Sequence, residues 1–140
     1  MRILLITNDW LPKKGGISTY LTNLVNSVNH EFLIYAPQWA EGENLIRSSS
    51  DFLVNRKESV EEIIDIVKSQ KIDIILHGSS NPQFLLVNKL DQISNPDNPK
   101  NVKVPQYMIC HGAEFNILNY IPIVRTLLKR SLNKLNKIFL

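Results

Sequence analysis

The sequence predicts an α/β fold, a doubly wound and mostly parallel open sheet, and three observations carry that prediction. Short apolar runs bounded by turn residues alternate with segments whose apolar residues recur at helical spacing. The first run, Ile3-Leu4-Leu5-Ile6, is continuously apolar, as befits a central strand covered on both faces. Strands alternating with helices at these intervals imply right-handed crossovers within one sheet.

Each element has its own warrant. Ile3 to Ile6 stops at the turn-prone Thr7-Asn8-Asp9, and a loop with Pro12, Lys13, Lys14 and Gly15-Gly16 follows. Ile17, Tyr20, Leu21, Leu24, Val25 and Val28 then recur as one helix face. Glu31 to Ala36 reads as a second strand ended by Pro37. The polar stretch from Gln38 to Ser50 reads as a long loop, with Phe52-Leu53-Val54 as a short third strand. Ser59 is placed to cap a helix carrying Val60, Ile63, Ile64 and Val67, with Glu62 completing a capping box. Ile72 to Leu76 is the next strand, running into His77-Gly78-Ser79-Ser80. Asn81-Pro82 opens a helix through Phe84, Leu85, Val87, Asn88 and Leu90, since proline is tolerated in a first turn. Ser94 to Lys103 is proline- and asparagine-rich and reads as exposed loop. Pro105 to Cys110 is a strand, Ile123 to Leu135 a basic amphipathic helix, and Lys137 to Leu140 the opening of one more strand.

At 140 residues, with 44% hydrophobic and 21% charged residues, the chain reads as a single domain, 1–140. That length buries roughly 70% of the unfolded surface, enough for a core without disulfide or metal staples. A single cysteine, Cys110, excludes an internal disulfide framework and a multi-cysteine zinc site, and fits a reducing, cytoplasmic setting. No run is long enough to span a bilayer. A net charge of +3 is mild and does not name nucleic acid as a partner.

In an open parallel sheet, ligands bind beyond the carboxyl ends of the strands, so the loops at Asn8 to Gly16, His77 to Asn81 and His111 to Asn116 should share one rim. Gly15-Gly16 opening a helix offers free N–H groups and the positive end of the helix dipole to a phosphate, with Lys13 and Lys14 nearby; a tight turn is the simpler alternative. The chain contains neither G-x-G-x-x-G nor G-x-x-x-x-G-K-[ST], which argues against plain nicotinamide or P-loop binding. His111, at a strand end before Gly112, is suited to donating a hydrogen bond to a bound hydroxyl or to acid–base work. A Cys110–His111 dyad is disfavoured because neighbouring strand residues face opposite ways. His77 and His111 are read as two rim histidines rather than a metal pair, for want of a further ligand.

Met1 to Pro12, followed by Gly15-Gly16-Ile17-Ser18-Thr19-Tyr20-Leu21, resembles the opening of family 4 glycosyltransferases of the GT-B fold, and His111-Gly112-Ala113-Glu114-Phe115 resembles the histidine motif closing their fifth strand. The resemblance is colinear over essentially the whole chain. It implies a Rossmann-like amino-terminal, acceptor-side domain that contributes to transfer of a sugar from a nucleotide-sugar donor to a sugar or lipid-linked acceptor, with retention. By that resemblance Gly15 and Gly16 touch the donor diphosphate, His111 lies beside the transferred sugar, and Asn8, Asp9, His77 and Glu114 line the cleft rim. No metal is expected, because protein cations and N–H donors take that role.

The family's nucleotide-binding domain, with its paired glutamates, is missing from these residues. The chain alone is therefore expected to be nearly inactive: a truncated product, an expressed domain, or one half of an enzyme completed in trans by a carboxyl-terminal half. Arg125, Lys129, Arg130, Lys134 and Lys137 beside the stripe Ile121, Val124, Leu128, Leu132 and Leu135 suggest peripheral contact with an anionic membrane; packing of that stripe on the sheet is the preferred reading. The alternative to a transferase is a non-catalytic Rossmann-like binding module. A flavodoxin-like receiver ranks below both, because Asp9 is the only acid near the end of the first strand.

Overall fold

Four buried residues in succession, Ile3, Leu4, Leu5 and Ile6, form a strand because both of its faces are covered. The computed structural model describes residues 1–49, 56–80, 83–93, 103–112 and 122–139. They run β1 (Arg2–Ile6), α1 (Gly16–Ser27), β2 (Glu31–Ala36), β3 (Leu45–Arg47), α2 (Arg56–Ser69), β4 (Ile74–His77), α3 (Phe84–Ile93), β5 (Gln106–Ile109), α4 (Pro122–Leu132) and β6 (Lys137–Phe139). The strands make one six-stranded sheet in the order β3-β2-β1-β4-β5-β6, and every pairing is parallel. This is the doubly wound, Rossmann-like architecture expected from the alternation of elements.

Side chains leave the sheet alternately, and the two faces have different covers. Leu4, Ile6 and Ile75 pack with Val60, Ile63, Ile64 and Val67 of α2 and with Leu86 and Leu90 of α3. Ile3, Leu5, Phe32 and Ile34 pack instead with Leu21, Ile17, Leu24 and Val25 of α1. A third cluster joins Phe84 and Val87 of α3 to Met108, Cys110 and Leu128 of α4. Each fully buried aliphatic side chain contributes roughly 1.5–3 kcal/mol relative to exposure.

Three local readings are corrected. The polar stretch from Gln38 to Ser50 holds the edge strand β3, tied to β2 by the pairs Ile34↔Leu45 and Tyr35↔Ile46. The helix expected to start at Ser59 begins at Arg56, so Ser59 is a buried residue within α2 and not its cap. Glu62 completes no capping box. It accepts a hydrogen bond from the Tyr35 hydroxyl at 2.6 Å and also binds Ser49, tying α2 to the β2 and β3 side of the sheet. Burial and the Glu62 carboxylate together push the Tyr35 phenol pKa up. Phe52-Leu53-Val54, Asn81-Pro82, Ser94 to Asn101, Glu114 and Leu140 lie outside the described residues.

The amphipathic helix α4 buries Leu128 and Ser131, and Val124, Leu127 and Leu132 pack against its cluster. Ser131 donates to the Phe84 carbonyl at 2.6 Å and accepts from Asn88, which locks α4 to α3. Of its apolar stripe, Val124, Leu128, Leu132 and Leu135 pack inside the protein, while Ile121 lies outside the described residues. No helix among the described residues is long and apolar enough to cross a membrane.

Candidate functional site

The sheet changes its direction of growth between β1 and β4, so the chain leaves their carboxyl ends toward different helices and opens a crevice there. The rim is held by backbone bonds. Gly78 donates to the Ile6 carbonyl at 2.9 Å, and Thr7 donates to the Tyr35 carbonyl at 3.0 Å. The Thr7 hydroxyl closes the next turn, accepting from Asp9 N–H at 3.0 Å and donating to the Asp9 carbonyl at 3.1 Å. Gly78 sits closely against its surroundings: an added Cβ would come within 2.8 Å of Leu21 Cδ1, 3.2 Å of Thr7 Cβ and 3.3 Å of the Ile6 carbonyl oxygen, so a larger residue would require those neighbours to shift.

α1 starts at this rim with its positive pole open. Gly15 is the N-cap residue, with extended backbone and no side-chain cap bond, and the first turn holds no acidic residue. Thr19 is bonded back to the Gly15 carbonyl at 3.0 Å, so the N–H groups ahead of it stand at the uncapped end. Neither glycine is demanded by a left-handed backbone. A Cβ on Gly16 would meet nothing within 4 Å, and one on Gly15 would meet only Ser18 Oγ at 4.0 Å. The missing side chains leave open space above N–H donors and a positive dipole, the conditions for close approach of a phosphate.

Asp9 and Lys13 form an ion pair at 2.6 Å, so part of the cationic charge read from the loop is already matched. Asn8 has a buried amide oxygen without a hydrogen-bond partner, as has the Trp10 indole nitrogen. An orphaned buried acceptor at the head of β1 marks a polar spot on the rim.

The two histidines of the rim separate. His77 pairs with Met108 in the β4–β5 register, and His111 lies three residues beyond Met108, so their side chains leave opposite faces of the sheet. His77 is fully buried on the α3 side, with Nε2 at 2.9 Å from Gln106 Oε1. Burial lowers its pKa to about 4, against an opposing influence from Gln106 and Gln83. Gln83 neighbours the ring, yet neither its amide atoms nor His77 Nδ1 reaches hydrogen-bond geometry. His111 is half-buried on the α1 side, its ring meeting Tyr20 edge to face at 5.6 Å between centroids. Its Nε2 lies 3.0 Å from the Gly78 carbonyl oxygen, which can only accept, so Nε2 carries the proton. The expected donor of a hydrogen bond to substrate is thus already used within the rim. Among the described residues no group of three His, Cys, Asp or Glu is arranged to hold a metal.

Sequence reasoning missed Gly78, Tyr20 and Gln83. Gly78 stood within the rim loop His77 to Asn81 without a role of its own, and Tyr20 was read only as part of an apolar helix face, although it is 48% exposed. An apolar groove of about 280 Å³ runs along α1 from Tyr20 to Val28 over Ile74, Leu76 and Tyr107, with Tyr20 also meeting His111 of the rim.

A parallel Rossmann-like sheet with an open glycine-led helix at its switch point is consistent with the amino-terminal half of a GT-B glycosyltransferase. Relatives among curated proteins agree. The chain is 30% identical over 100 residues to the GDP-mannose-dependent alpha-(1-6)-phosphatidylinositol monomannoside mannosyltransferase of Mycobacterium tuberculosis, covering 61% of this chain and 26% of that enzyme. It is 23% identical over 141 aligned positions to the enzyme of the same name from Mycolicibacterium smegmatis, covering 91% of this chain and 35% of the relative. The chain is thus homologous to family 4 GT-B mannosyltransferases over a region the size of one amino-terminal domain, and spans about a quarter to a third of their length. No protein-family model matches it.

Proposed function

We propose that the chain forms the acceptor-side domain of a retaining glycosyltransferase that moves a hexose from a nucleotide sugar to a lipid-linked acceptor, with GDP-mannose as the first donor to test. The observation that carries this reading is the uncapped α1 terminus, with Gly15 and Gly16 leaving space over its N–H groups at the switch point. Charge grows on the nucleoside diphosphate as the glycosidic bond breaks, and preorganised N–H donors stabilise it most where it grows most. His111 stands across the crevice beside the transferred sugar, Asn8 and Asp9 line the rim, and Glu114, three positions after His111 in sequence, is kept as a further rim candidate. His77 supports the rim from beneath.

The matched relatives are roughly two and a half to three times as long as this chain, and most of their length lies outside the matched region. By itself the chain is expected to transfer little sugar, in the cytoplasm or in solution. A lipid-linked acceptor suits α4, which starts at the carboxyl rim and keeps Arg125, Lys129 and Arg130 exposed, while Lys134 is paired with Asp91. Transfer from GDP-mannose to a phosphatidylinositol mannoside would be assayed with the chain plus the carboxyl-terminal part of the M. smegmatis relative. Product with retained anomeric configuration, lost in Gly16→Asp, is expected. Equal transfer with and without this chain would sink the reading.

A further inference from the structure

We propose that the groove beside α1 seats the hydrocarbon chain of the lipid-linked acceptor, with the sugar of that acceptor held at the rim above it. This rests on the glycosyltransferase reading, and it says where the rest of the acceptor goes. The groove follows from the topology. The crossover helices α2, α3 and α4 all cover one face of the sheet, and among the described residues α1 is the cover of the other. Burial along β4 alternates accordingly: Ile75 and His77 are sealed on the packed face, while Ile74 and Leu76 stay half-buried on the α1 side. Tyr107 of β5 lies opposite Leu76 in the strand register and extends that floor. Tyr20, Leu24 and Val28, four residues apart on α1, form the wall. Parallel strands are ordinarily covered on both faces, so an apolar floor left half-open is a seat for something apolar.

Three features select a single hydrocarbon chain. None of the described residues lining the groove is charged. From Tyr20 to Val28 the wall is about 12 Å long, at 1.5 Å per helical residue. The 280 Å³ of the groove holds about nine methylene-sized groups, taking each as roughly the 30 Å³ of a water. An α-helix is about 10–12 Å across with its side chains, so eight residues of one would need several times that volume. The groove also begins at Tyr20, whose ring meets His111 edge to face, so its upper end is continuous with the rim. The apolar stripe of α4 offers no such seat, because it is packed against Phe84, Val87 and Met108.

Titration of the intact chain with methyl α-mannopyranoside and its butyl, hexyl, octyl, decyl and dodecyl homologues, each below its micelle concentration, tests the seat. Affinity should rise about fourfold per added methylene as far as octyl, the gain expected from burying one methylene, and level off by decyl, where the groove is full. Methyl signals of Leu24, Val28, Ile74 and Leu76 should shift with chain length, and those of α4 should not. Leu76→Trp, which fills the floor, should remove the dependence on chain length. Where that variant does not fold, the slope, the plateau and the methyl shifts of the parent decide. A flat series, a rise that continues unchanged through dodecyl, or methyl shifts on α4 instead would overturn the proposal. Self-association of the unliganded chain that protects the groove methyls would overturn it too, by placing a second copy there. The matching alkanols separate this proposal from the sugar reading. Alkanols with the same slope and shifts, and no gain from the hexose, keep the groove as a hydrocarbon site and overturn the sugar reading. A methyl glycoside that binds at the rim, with no gain from its longer homologues, overturns the groove instead.

Discussion

The two faces of the sheet are built to different ends, and the difference separates what holds the domain together from what it presents. On the α2, α3 and α4 face, Leu4, Ile6, Ile63 and Ile75 are sealed, and Tyr35, Glu62 and Ser49 tie helix to strand. On the α1 face, among the described residues, a single helix covers β1 and β2 and leaves Ile74, Leu76 and Tyr107 only half-buried along the groove. The rim histidines repeat the contrast: His77 is sealed on the packed face, and His111 stands half-open on the other. One face supplies stability, and the other, with its rim, supplies accessible polar atoms.

Substitutions on the two faces test this division most strongly. Ile63→Ala, fully buried on the packed face, should cost about 2–5 kcal/mol in urea unfolding, because it removes contacts and leaves a cavity. Leu76→Ala, beside the groove, should cost about 1–2 kcal/mol, since solvent already reaches that side chain. Equal losses would erase the distinction between the faces.

The next largest effect is a pH dependence confined to His77. With a folded-state value of about 4 against an ordinary 6.5, the unfolded chain binds the extra proton between those limits. Its contribution to stability is thus fully present above pH 6.5 and falls as the pH drops, reaching a loss of about 3 kcal/mol near pH 4. His77→Gln should flatten that part of the stability curve. An unchanged slope would mean that the ring is not sealed.

The smallest change in stability carries the sharpest separation of roles. Gly15→Asp installs a favoured N-cap residue and should stabilise α1 by a few tenths of a kcal/mol. The same carboxylate would stand where a diphosphate approaches, so nucleotide-sugar binding should fall at least tenfold. Thermal melting and a binding titration on one sample would read both signs. A parallel rise or fall in both would contradict the separation.

The order of elements and the helix-opening glycines were legible because they are local: apolar runs, helical spacing and turn residues lie within a few positions of one another. β3 was hidden because three residues on a sheet edge, Leu45 to Arg47, leave too short a pattern among polar neighbours. Ser59 and Glu62 fit the spacing of a capping box, but the Glu62 partner is Tyr35, which lies 27 positions away. The split between His77 and His111 was equally non-local, since it depends on the β4–β5 register and on Gln106. Cys110 and His111 were separated correctly, because the alternation of faces along one strand needs no partner.

Amide chemical-shift mapping of the labelled chain on addition of GDP-mannose tests the central claim most directly. The account predicts concentration-dependent shifts centred on the N–H groups of Gly16, Ile17 and Ser18, with His111 responding across the crevice and the opposite end of the sheet around Arg2 and Glu31 unmoved. Shifts confined to the α1 groove or to α4, or none at the α1 terminus, would contradict it.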